Sequence, residues 1–156
     1  MTDAVVAGAL VVAALNALPG ALGGWLWYRG DPAAQPRWTS AFWILLRVGQ
    51  GSAITLAVAV GSLVAAGKDS SDHLFYLYAL LPLAVGLVAE QLRVASAQTI
   101  LDQRGLPNAE AVGGLPQTEQ RGLVGAIVRR EIGVMALAAL VVVFLALRAA
   151  GTAHGF

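Results

Sequence analysis

Apolar residues in this chain neither alternate nor recur in narrow stripes. They form four long runs, at about residues 4–28, 41–67, 74–97 and 123–150, with almost every charge between them or near one set of their ends. Each run meets the requirement of about 20 mostly apolar residues for a membrane-crossing helix. Continuous apolar runs suit helices, because barrel strands show a two-residue alternation. The pattern therefore predicts an all-α integral membrane protein, a four-transmembrane-helix bundle forming a single membrane domain.

The polar connections carry recognisable stop and start signals. Residues 29–40, with Pro32 and Pro36, read as a short polar turn. Residues 68–73 read as a tight loop in which Asp72 or Ser71 caps the next helix. The third connection, about 98–122, is the longest. The third helix is expected to run past the bilayer to Arg104 and to end at Gly105 and Pro107. Asn108 can cap a short helix to Val112 that Gly113 and Gly114 break, and Pro116 and Thr118 lead into the fourth span. This predicts a short cytoplasmic helical hairpin extension from about residue 93 to 131. Met1, Thr2 and Asp3 supply no positive segment before the first run, so the reading is a retained span and not a cleaved signal.

Charge sets the expected orientation. Arg29, Arg37, Arg47, Arg93, Arg104, Arg121, Arg129 and Arg130 fall at one set of helix ends, and only Lys68 and Arg148 at the other. Basic residues favour the cytoplasmic side. The first and third connections are therefore placed in the cytoplasm and both termini outside. Trp25, Trp27, Tyr28, Trp38 and Trp43 gather at the same boundary and read as an interfacial aromatic belt; Tyr76 and Tyr78 suit the opposite boundary.

Composition agrees and narrows the function. Hydrophobic residues make up 58% of the 156 positions and charged residues 12%, about half the charged share of a soluble domain. A net charge of +1 gives no reason to expect nucleic acid. The absence of cysteine excludes disulfides and thiolate metal sites. Nine of the ten basic residues are arginine and the chain is rich in Ala, Gly and Val, which suggests a GC-rich bacterium and its inner membrane.

Small residues predict the contacts between helices, because lipid supplies little apolar drive for association. Ala9, Ala13, Asn16, Gly20 and Gly24 share a face of the first span, and Pro19 is expected to bend it. Gly125 and Gly133 bracket Arg129 on the fourth.

The candidate chemistry is a ring of charges at the cytoplasmic end. Arg47 lies about six residues, or roughly 9 Å, inside the second span. Glu90 and Arg93 sit near the end of the third span, and Arg129, Arg130 and Glu131 near the start of the fourth. All six are expected at one depth. An ionised group in hydrocarbon costs about 2.5–3.5 kcal/mol at the helix centre, so opposite charges there should pair. Gln50, with Gly51 and Thr55 beyond it, extends the polar lining. Three readings compete for these residues. In the first, ion pairs lock helix register, with arginines snorkelling to headgroups. Alternatively Arg47, Gln50, Glu90, Arg93 and Glu131 form a ligand or ion pathway. Finally Arg129, Arg130, Arg104 and Arg121 dock lipid headgroups or a partner.

Other chemistry is thin. His73 and His154 fall on one side without metal-site spacing, and no phosphate loop, zinc-protease or Ser-His-Asp pattern occurs. Ser52, Thr55 and Ser96 read as helix–helix hydrogen bonders, and Asn16 as either that or a path-lining amide. No cofactor or metal is expected. The expected partners are the bilayer and either another protein or further copies of the chain. The favoured function is a non-enzymatic subunit or scaffold, ahead of a small oligomeric transporter or channel; a membrane electron-transfer or enzyme subunit comes third.

Overall fold

A computed structural model describes residues 2–154, except the side chain of Ala109. The chain forms α1 (Thr2–Arg29), a 3-10 turn (Pro32–Ala34), α2 (Pro36–Ala65), α3 (His73–Gln103), α4 (Ala109–Val112) and α5 (Gln117–Thr152). No strand occurs among the described residues. α1, α2, α3 and α5 are long and apolar enough to cross a bilayer.

The ends follow local chemistry. Asp72 accepts a hydrogen bond from the Leu74 N–H at 2.9 Å and starts α3. Asn108 accepts from the Ala111 N–H at 3.0 Å and starts α4. Gly30, Gly67 and Gly105 follow α1, α2 and α3 with φ of 87°, 72° and 68°, the left-handed step that closes a helix and that a Cβ disfavours. Two expected starts move earlier. Pro36 does not stop a helix: it opens α2, where its missing N–H costs nothing. α5 likewise begins at Gln117, directly after Pro116. The third connection is a helical extension, with α3 and α5 both running past the charged level and α4 between them.

The four long helices pass up, down, up and down. The connections 30–35 and 104–116 share one end, here the arginine-rich end; residues 66–72 lie with the start of α1 and the end of α5 at the other. The ends of α2, α3 and α5 are tied there. The Ser71 N–H donates to the His154 carbonyl at 3.0 Å, and the Ser70 and Ser71 hydroxyls donate to it at 2.9 and 3.1 Å. Tyr76 Oη accepts from the Ser70 N–H at 2.6 Å.

Packing around the bundle is uneven. α1 and α5 share the largest contact, α5 with α3 and α1 with α2 follow, and α2 with α3 is the thinnest of the four sides. Close approach uses glycine. A Cβ on Gly23 would stand 2.5 Å from Phe42 and 2.7 Å from Ala136, where α1, α2 and α5 meet. Gly20 is pressed by Leu140, and Gly133 by the Trp27 ring. Gly24 is exposed with nothing near it. The expected Gly20–Gly24 pair is thus replaced by Gly20 and Gly23, because the contact face follows Val12, Asn16, Pro19, Gly20, Gly23 and Leu26. One core cluster around Phe75 and Ala149 fills the terminal end, and a second around Phe42, Ile132 and Met135 fills the arginine-rich end. The outer surface is apolar too, with Ile44, Val58, Val94, Leu137 and Phe144 all exposed. A bundle in water would be polar there; this one suits a lipid environment.

Candidate functional site

The short 66–72 loop sets the level of the charges. Arg47 lies 18 residues before the end of α2, and Glu90 17 residues after the start of α3. At 1.5 Å per residue both are about 26 Å from that shared end. That is close to the far edge of a hydrocarbon layer about 30 Å thick. Two helices joined by a tight loop therefore bring these side chains to one height.

They bond there. Arg47 Nη1 donates to Glu90 Oε1 at 2.5 Å and to Gln50 Oε1 at 2.6 Å. Gln50 Nε2 approaches the same Glu90 oxygen at 3.4 Å. Arg93 Nε donates to Glu90 Oε2 at 3.0 Å. Arg93 Nη1 then faces Glu131 Oε2 at 3.9 Å, reaching α5 by charge and without a hydrogen bond. The result is an alternating chain of two guanidinium and two carboxylate groups across three helices, formally neutral. The Arg93 guanidinium also lies over the Trp43 ring, 5.5 Å from its centroid.

The structure brings together Arg47, Gln50, Glu90, Arg93 and Glu131 and leaves out the rest of the expected ring. Arg129 points to α1, donating to the Trp27 carbonyl at 3.1 Å and lying 5.3 Å from the Trp27 ring centroid. Arg130 is exposed beside Trp27 and Gly133. The reason is helical geometry: adjacent positions differ by about 100°, so 129, 130 and 131 cannot share a face. Arg104 is exposed at the end of α3, and Arg121 is exposed near Asp31. Gly51 and Thr55 also leave the lining. Both are exposed, and the Thr55 hydroxyl donates to the Gly51 carbonyl of its own helix. Ser52 and Ser96 likewise bond to Gly49 and Arg93 carbonyls within their own helices, so the expected helix–helix role falls away.

Asn16 is the buried amide that does cross between helices. Its Nδ2 donates to the Val12 carbonyl at 2.9 Å and to the Gly49 carbonyl of α2 at 3.1 Å. Gly49 permits this, since a Cβ there would stand 2.8 Å from Asn16 Oδ1.

Two features lay beyond the reading of the sequence. One is a crevice of about 350 Å³ between α2 and α3, floored by Asn16, Met135 and Val142 and reaching Gln50 and Glu90. Nothing in the chain order announces that hairpin partners pack loosely. The other is a set of arginine–tryptophan stacks, with Arg29 5.0 Å from the Trp25 centroid beside the Arg93 and Arg129 pairs. The four-residue spacing of Trp25 and Arg29 was a legible signal for the first of these.

Compared with known proteins, the chain matches no family model, no curated protein and no solved structure.

Proposed function

We propose that this chain is a non-enzymatic membrane subunit or scaffold whose arginine-rich end docks on anionic phospholipid headgroups. In this reading that end faces the cytoplasm of a bacterial cell, and both termini lie outside.

The observation that carries the proposal is the collar at that end. Arg29 and Arg129 lie over tryptophan rings, Arg130 is exposed beside Trp27, and Arg104 and Arg121 are exposed farther out on the helical extension. Tryptophan settles at headgroup level, and a guanidinium over its ring is held where phosphates lie. An exposed arginine at that level, such as Arg130, adds attraction of about 1 kcal/mol near an anionic surface, and Arg104 and Arg121 on the helical extension add less because the attraction falls off within a Debye length. The paired charges inside the bundle fit a structural part. Both Glu90 oxygens are engaged by arginine, which favours locking the register of α2 and α3 over accepting an ion.

The test uses the full chain in nanodiscs of mixed phosphatidylglycerol and phosphatidylcholine, with retained lipids read by native mass spectrometry. Wild type should enrich phosphatidylglycerol severalfold. R121A/R130A alters two exposed arginines and should lose most of that enrichment, as should high salt. Equal retention of both lipids by wild type rejects the proposal. The transporter alternative keeps a separate test: it requires flux in liposomes that E90Q abolishes while the protein still inserts.

A further inference from the structure

The α2–α3 crevice has a polar rim and a dry interior. Gln50 and Glu90 form the rim. From Glu90 to Pro82, two turns deeper, the α3 wall runs for about 12 Å. Apart from Asn16 on the floor, the remaining walls are apolar, including Leu46, Ile54, Gly86 and Leu87. Ile54 and Leu87 are exposed, at 54% and 71%, so the crevice opens sideways between two helices whose outer faces suit lipid. Its volume of about 350 Å³ falls within the range of about 300–1,000 Å³ usual for small-molecule sites. Water gains little there, because apolar walls give it too few partners. What lies against such an opening in a membrane is an acyl chain.

Arg47, hydrogen-bonded to both rim residues, offers a place for the other half of a lipid. Arg47 uses Nη1 for Gln50 and Glu90, and its other N–H groups have no hydrogen-bond acceptor among the described residues. The side chain is 53% exposed and sits near the level where a bilayer places its phosphates. The cluster as a whole is formally neutral, so what Arg47 offers a phosphate is its spare donors and not a surplus charge. A guanidinium with spare donors recognises a phosphate diester. We propose that the crevice seats one phospholipid, with an acyl chain between α2 and α3 and its phosphate on Arg47. The proposal rests on the membrane reading of the four helices and is independent of the collar, which selects headgroup charge where this site selects a chain and a phosphate.

Nanodiscs of phosphatidylcholine alone separate the two, because they offer no anionic lipid. On rising collisional activation in native mass spectrometry, wild type should hold one lipid after all others have left. Gly86→Phe should lose it, since Gly86 has open space in front of it. Ile54→Trp fills the crevice from the other wall and should lose it too, so the result stands if either variant folds, as judged by its melting transition. Arg47→Gln should weaken retention about tenfold. Dioleoylglycerol, which lacks the phosphate, should not replace the bound lipid. The proposal is overturned if wild type holds no persistent lipid, or if both crevice variants hold it as wild type does. It is equally overturned by inorganic phosphate binding alone with no chain, or by a second protein copy in the lipid's place.

Discussion

Glu90 joins three helices through one carboxylate. Arg47 of α2 takes one oxygen, Arg93 of its own helix the other, and Arg93 carries the charge on to Glu131 of α5. Removing one partner of a poorly hydrated pair leaves the other charge uncompensated, and that is the larger penalty. Glu90→Gln should therefore destabilise the bundle by about 1–3 kcal/mol, less than for a fully buried pair because the cluster is part-exposed. Combining it with Arg47→Gln should recover part of the loss, since two amides can hydrogen-bond without charge. Denaturation in mild detergent reads both; an unchanged midpoint for Glu90→Gln would show that the cluster does not hold the helices. The charged members of this cluster were legible from charge sign and depth, but only within a wider set of six. The exclusion of Arg129 and Arg130 was not, because depth says nothing about the angle around a helix.

Between elements, contact turns on which small residues face a neighbour. Gly23→Ala puts a methyl group into Phe42 and Ala136 and should cost about 1–3 kcal/mol by overpacking. Gly24→Ala meets nothing and should be neutral or stabilising by up to about 1 kcal/mol, since glycine is the poorer helix former. Thermal unfolding of the two variants compares adjacent positions on one helix; equal effects would contradict the packing described. Sequence spacing suggested Gly20 with Gly24, a regular four-residue step. The actual face drifts, because 3.6 residues per turn bring positions three and four apart into contact alternately.

For the molecule as a whole, orientation is the property to establish first. The chain has no cysteine, so single cysteines report without background. Ser71→Cys, in the loop beside α3, should react with an impermeant maleimide from outside intact cells. Glu110→Cys, in α4 at the arginine-rich end, should react only after permeabilisation. The reverse pattern would put the collar outside, away from the anionic inner leaflet, and remove the basis of the headgroup proposal.

Local chemistry along the chain determined the four apolar helices, their caps and glycine stops, and the gathering of arginine at one end. Those properties depend on hydrophobicity, on hydrogen-bonding side chains and on backbone freedom, which belong to a segment by itself. Only the assembled bundle decided that α2 and α3 pack least closely, that Asn16 reaches Gly49, and that Arg129 turns to Trp27 while Arg93 turns to Glu90. Those outcomes depend on how helices are rotated against one another. In lipid that rotation is settled by shape and polar pairing across helices, which no single segment contains.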